Sequence, residues 1–142
     1  NHDCPFVVKH YQGNMQQLQQ DITAQDVVWL SVISSKPGSQ GHIDQAKSDE
    51  LTASRGAAPT AVIFDEDGVM GKAYDARTTP HMYVIDKAGV LQYMGGIDSI
   101  PSAKVEDIAK ATPYFANAAT AVLAGQAPDP AVTRPYGCGV KY

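Results

Sequence analysis

Cys4, in the run Asp3-Cys4-Pro5-Phe6-Val7-Val8-Lys9, is the residue of this chain best placed to do chemistry. A helix starting just after it would present unpaired N–H groups and a partial positive charge to its sulfur, favouring thiolate over thiol. Only the thiolate is nucleophilic. Pro5 suits that position, because its missing N–H would have had no helical partner there. The same cysteine could instead serve as a small buried hydrophobe. A second sulfur comes near the other end, in Tyr136-Gly137-Cys138-Gly139. That flexible setting would let Cys138 swing onto Cys4 and resolve a sulfenic acid or a mixed disulfide, or leave it a structural or unpaired cysteine. The remaining candidates are histidines. His10 and His42 fall on helical segments and read as surface residues, while His2 and His81 stay open as neighbours of the thiol.

The elements that must position these groups follow from periodicity and turn chemistry. Val7, Tyr11, Met15, Leu18 and Ile22 recur at steps of four and three, the apolar face of a helix after Cys4. Gly13 interrupts it, and Asn14 with Gln17 three residues on predicts a fresh N-cap. Val27–Ser34 is almost continuously apolar and β-branched, which predicts a strand buried on both faces, with Trp29 in the core. A weaker helix spans about 42–55 and stops at Gly56. Thr60–Phe64 is the next strand, followed by the turn Asp65-Glu66-Asp67-Gly68. That acidic turn faintly resembles a calcium loop but lacks ligands where one needs them. A short helical segment over 70–75 leads into Arg77-Thr78-Thr79-Pro80. Met82–Ile85 and Val90–Met94 read as a hairpin across Asp86-Lys87-Ala88-Gly89. Residues 104–124 read as helix, with Thr112-Pro113 as an internal N-cap and first position. The last 18 residues carry three prolines and three glycines and read as an ordered or semi-ordered tail. The expected organisation is one α/β domain over 1–124 and a tail over 125–142, with parallel crossovers and an antiparallel edge.

Composition narrows the function classes. With 142 residues, 44% hydrophobic, 18% charged and a net charge of −4, the chain has the profile of a globular domain with a full-sized core. Mild acidity argues against nucleic acid or anionic membrane as partner. No apolar run reaches the length of a membrane span. Two cysteines make neither a disulfide framework nor a zinc-ribbon spacing. The first residue is Asn1 rather than Met, so the chain is expected to be a processed protein or a fragment, with any signal peptide outside it.

Cys4-Pro5-Phe6-Val7 and Thr79-Pro80 followed by His81-Met82-Tyr83-Val84-Ile85-Asp86 together resemble the thioredoxin-like superfamily, from Cys4 to about Ala124. The resemblance is to its redoxin branch, which includes peroxiredoxins and TlpA-type periplasmic thiol–disulfide oxidoreductases. Asn1-His2-Asp3-Cys4-Pro5-Phe6 and Pro135-Tyr136-Gly137-Cys138 are similar to a redoxin subgroup with a single cysteine in the helix motif. The resemblance implies a three-layer α/β/α sandwich with a mixed sheet, parallel strands plus a C-terminal antiparallel hairpin. It also implies a central strand directly before the cysteine. Only three residues precede Cys4, so that strand is expected upstream in a longer precursor, or its place filled by another segment.

As the resemblance has it, Cys4 is the nucleophile, Val7 stands where a second cysteine is usual, and Pro80 is cis and packs against Cys4. Thr79 would offer backbone groups to an extended substrate, and His81 would lie near the thiol and favour its thiolate. The implied activity is thiol–disulfide oxidoreduction on protein or small-molecule thiols and disulfides, with no cofactor, in a periplasmic or secreted protein. Cys138, glutathione or a partner protein would supply the second thiol. One alternative is a peroxiredoxin-like thiol peroxidase with Cys138 resolving. There Asn1 replaces the usual threonine three residues before the cysteine, and Arg77 or Arg134 would polarise the peroxide. A copper chaperone using Cys4 and Cys138 with His81 or His2, and a non-catalytic scaffold of the same fold, are the readings from other classes.

Overall fold

The computed structural model describes residues 1–142 and begins, as the periodicity predicts, with two helices parted by a glycine. These are α1 (Pro5–His10) and α2 (Asn14–Thr23). The cap lies one residue earlier than expected: Gly13, not Asn14, is the N-cap of α2, at φ +127°, where an L side chain would be strained. Gln16 rather than Gln17 closes the cap, its Oε1 accepting from the Gly13 N–H at 3.0 Å. Gln17 instead donates to Asp21 at 2.8 Å along the exposed face. Val7, Met15 and Ile22 are buried on the expected stripe.

The strand of Val27–Ser34 shortens to β1 (Leu30–Ile33). It is not covered on both faces: Leu30 is 50% and Val32 40% exposed. Helix α3 (Gln45–Ser54) starts where the Asp44 side chain accepts from the Lys47 N–H at 2.8 Å, an N-cap that is typically worth about 1 kcal/mol. β2 (Ala61–Phe64) then runs parallel to β1 in the register Leu30 to Ala61 and Ile33 to Phe64. Asp65 is buried after β2. Its carboxylate accepts from Ser34 Oγ at 2.6 Å and from the N–H groups of Met70 and Gly71 at 2.9 and 2.8 Å. These bonds tie α4 (Val69–Ala73) to the end of β1, and they hold the Asp65 carboxyl below the usual range despite its burial.

Strand β3 (Thr78–Thr79) precedes β4 (Met82–Ile85) and β5 (Leu91–Gly95), the expected antiparallel hairpin. The Asp86 carboxylate accepts from the N–H groups of Ala88 and Val90 at 2.9 and 3.0 Å and closes its turn. The helical run over 104–124 splits. Val105–Lys110 is a 3-10 helix and Tyr114–Leu123 is α5, with Pro113 as the N-cap residue rather than the first helical one. Finally β6 (Cys138–Gly139) pairs with β3.

The result is a mixed α/β structure of three two-stranded ladders, one parallel and two antiparallel, with no closed barrel. β1–β2 and β4–β5 share no ladder, so the single mixed sheet expected from the sequence is divided. Packing joins them instead. Trp29, Met82, Tyr93 and Phe115 belong to one buried cluster, and the Trp29 and Phe115 rings meet edge to face at 5.4 Å. Such a pair contributes about 1 kcal/mol beyond its buried area. From Ala131 onward the C-terminal segment is bonded to this frame. Met94 N–H donates to Ala131 O, Lys36 N–H to Lys141 O, and Tyr142 Oη to Ala76 O. No helix is long and apolar enough to cross a membrane.

Candidate functional site

Cys4 is the N-cap residue of α1, with extended backbone (φ −65°, ψ 125°), and its carbonyl accepts from the N–H groups of Val7 and Val8 at 2.9 Å each. Its side chain lies between the first turn of α1 and the end of β3. The thiol is fully buried. As a thiol it donates to the carbonyl oxygen of Thr79 at 3.2 Å, and the Thr79-Pro80 bond is cis. The expected meeting of this segment with Cys4 therefore runs through Thr79.

The second cysteine comes to the same place. In the β3–β6 ladder Thr79 lies opposite Cys138, and the Cys138 N–H donates to Cys4 Sγ at 3.4 Å, across 134 residues of sequence. Both cysteines are free thiols. The ladder also occupies the edge that the resemblance reserves for an extended substrate: Thr78 and Thr79 are already paired, and the Val140 N–H donates to Arg77 O at 3.2 Å.

Electrostatics divide the pair. Burial pushes the Cys4 thiol up, but donors outweigh it: the Cys138 thiol and N–H first, then the N–H groups of Val7 and Phe6. The net shift of Cys4 is downward. Burial pushes Cys138 up to about 11, and the neighbouring Cys4 sulfur adds to the rise. Of the two, Cys4 is the more readily ionised, and Cys138 is the donor that favours its thiolate. The sequence pointed to the helix start as a source of this effect and missed the larger one, since nothing in the tail showed that β6 would pair with β3.

The histidines are employed elsewhere. His81 Nδ1 accepts from the Arg77 N–H at 3.3 Å, and its ring stacks on Tyr83 at 4.6 Å. His2 faces Asp3 at 3.2 Å, and its carbonyl accepts from Arg55 at 2.8 Å. Burial lowers the pKa of both rings, which favours their neutral forms. His42 pairs with Glu66 at 2.7 Å on the surface. His10 departs furthest from expectation, having no exposed surface at all. Arg77 and Arg134 line a shallow cleft of about 400 Å³ between Asp75–His81 and Val132–Pro135, where Asp75 holds the Arg77 guanidinium. Neither arginine is a hydrogen-bond partner of Cys4. No three His, Cys, Asp or Glu side chains converge as a set of metal ligands.

No protein-family model matches the chain, and no curated protein does. Three chains of solved structure match it. One is an uncharacterized conserved protein from Geobacillus kaustophilus, 25% identical with a TM-score of 0.78, aligned over 100% of this chain and 72% of its own. A hypothetical protein from Sinorhizobium meliloti 1021 is 20% identical with a TM-score of 0.80, over 100% of this chain and 75% of its own. The arrangement of helices and ladders is thus shared with bacterial proteins whose names state no activity.

Proposed function

We propose that this chain is a thioredoxin-like redoxin that exchanges thiols and disulfides, with Cys4 as the nucleophile and Cys138 as its resolving partner. The observation that carries the reading is the Cys138 N–H on Cys4 Sγ at 3.4 Å, within a ladder that sets Cys138 opposite Thr79. Two thiols so placed, with opposite pKa shifts, supply the attacking thiolate and the waiting second thiol that such exchange needs. The Cys4 thiolate attacks one sulfur of a disulfide, that S–S bond breaks, and the first half leaves as a thiolate and takes a proton. Cys4 is then neutral in a mixed disulfide, so the anion that raised the Cys138 pKa is gone. Cys138 loses its proton and attacks Cys4 Sγ. The Cys4–Cys138 bond forms and the second half leaves. Two electrons pass from the protein thiols to the substrate, and an external dithiol reverses the change. Val7 therefore needs no cysteine, since Cys138 stands in for the local partner. A periplasmic or extracellular setting, where disulfides persist, is proposed on the resemblance alone.

A chromogenic aromatic disulfide tests this. Reduced wild type should release both halves of the reagent and end with an internal disulfide. Cys138→Ser should release one half and keep the other on Cys4. Labelling of both wild-type cysteines with no internal bond would overturn the reading. The thiol peroxidase alternative has less support, because Arg77 is engaged by Asp75 and no guanidinium bonds to the Cys4 sulfur.

A further inference from the structure

A chain of buried polar groups joins α1 to the segment that carries Cys138. Lys9 and His10 are 1% and 0% exposed, and Asp98 is 5% exposed. The Tyr136 hydroxyl donates to Asp98 Oδ1 at 2.6 Å. With that proton committed, the Tyr136 oxygen accepts from His10 Nε2–H at 3.2 Å, which leaves His10 Nδ1 to accept from Asn14 at 2.8 Å. Lys9 Nζ donates to Ser102 O at 2.9 Å and to the Tyr136 oxygen at 3.4 Å, and lies 3.9 Å from Asp98 Oδ2. The Tyr136 ring also packs edge to face on Phe6 at 5.8 Å. Asp98 Oδ2 has no hydrogen-bond partner and is faced only by Lys9 Nζ and by His10 Nε2 at 3.8 Å, so the buried carboxylate depends on the Tyr136 hydroxyl for its one hydrogen bond from a side chain. Its one member in the C-terminal segment is Tyr136, two residues before Cys138.

We propose that Tyr136 is a positioning residue for the Cys4–Cys138 pair. Fixed by Asp98, His10 and Lys9, it holds the start of β6 on the same α1 helix whose N-cap is Cys4. Cys138 therefore stays at its sulfur while both are reduced, and the closing attack is an intramolecular step from a prepared position. This rests on the redox reading above.

The test is the effective concentration of Cys138 at Cys4, read by equilibrating the protein with glutathione buffers and trapping free thiols for mass spectrometry. Tyr136→Phe keeps the ring on Phe6 and removes the hydroxyl. A hydrogen bond to a charged group supports an expected fall of about tenfold in effective concentration. Asp98→Asn, which keeps an acceptor but not the charge, should fall less than Tyr136→Phe. Asp44→Ala, which removes the N-cap of α3 and touches no bond of the network, should lower the melting temperature without moving the equilibrium. If Tyr136→Phe matches wild type, or if Asp44→Ala shifts the equilibrium as far, the positioning role is wrong. If wild type forms no Cys4–Cys138 disulfide in oxidised glutathione, the redox reading itself fails, a different and recognisable result.

Discussion

Gly137 and Thr79 approach so closely that a Cβ on Gly137 would overlap the carbonyl group of Thr79. Gly137 also sits at φ +144°, a conformation that side-chain-bearing residues rarely adopt. The absence of a side chain at this position therefore lets β6 close over β3 and seal Cys4. Gly137→Ala should lift β6 away at a cost of about 1–3 kcal/mol. Iodoacetamide should then alkylate Cys4 faster, while the Cys4–Cys138 disulfide forms less readily. Unchanged alkylation and an unchanged melting temperature would show that β6 does not seal the site.

The opposed pKa shifts of the two thiols give separate pH profiles. In wild type, the thiolate of Cys4 should appear at lower pH than that of an ordinary cysteine, and that of Cys138 near 11. Cys138→Ala removes the S–H donor and keeps the backbone N–H, so the Cys4 midpoint should move up. Thiolate absorbance in the ultraviolet, followed through a pH titration, reads this directly. A Cys4 midpoint that stays put in Cys138→Ala would mean that the helix start alone sets it.

Sequence periodicity located most elements because amphipathic stripes and Asp-Gly or Asp-x-x-Gly turns act locally: α2, α3 and the β4–β5 hairpin all answer to residues within a few positions of one another. Cys4 was visible for the same reason, since Pro5 marks a helix start without any tertiary information. What was not visible depends on long-range pairing. The 134-residue separation of Cys138 from Cys4 closes only through the β3–β6 ladder, which has two residue pairs and no hydrophobic signature. His10 read as a surface residue because it falls on a helical segment with no buried polar partner near it in sequence. Asp98 and Tyr136, the partners that let it be buried, come from distant loops. Val27–Ser34 read as a fully covered strand from composition alone, whereas Leu30 and Val32 remain open.

Asp65 offers a stability test remote from the thiols. It accepts three hydrogen bonds that join the end of β1 to the start of α4. Asp65→Ala leaves two backbone N–H groups and the Ser34 hydroxyl without that acceptor, and should cost about 2–4 kcal/mol. Asp65→Asn, which preserves one acceptor oxygen, should cost less. Chemical denaturation measures both. Equal, small losses would mean that water replaces the carboxylate without penalty.

His10 makes the fold acid-sensitive in a defined window. Burial is the main cause, with Lys9 adding to it and Asp98 opposing it, and the imidazole pKa falls from about 6.5 to about 4. Between those values the unfolded chain binds the proton and the native protein refuses it, so stability rises with pH across the window. The contribution is complete above pH 6.5 and is lost as pH falls toward about 4. At 1.36 kcal/mol per pKa unit its full extent is on the order of 3 kcal/mol. His2 and His81 are also lowered by burial and add slopes of the same sign. His10→Gln should therefore flatten, without abolishing, the dependence of unfolding free energy on pH between 6.5 and about 4. It should also lower stability at neutral pH, because Tyr136 loses a donor. Denaturation midpoints across that range decide it: a variant with the slope of wild type would mean that His10 takes up its proton in the folded protein as readily as in the unfolded chain.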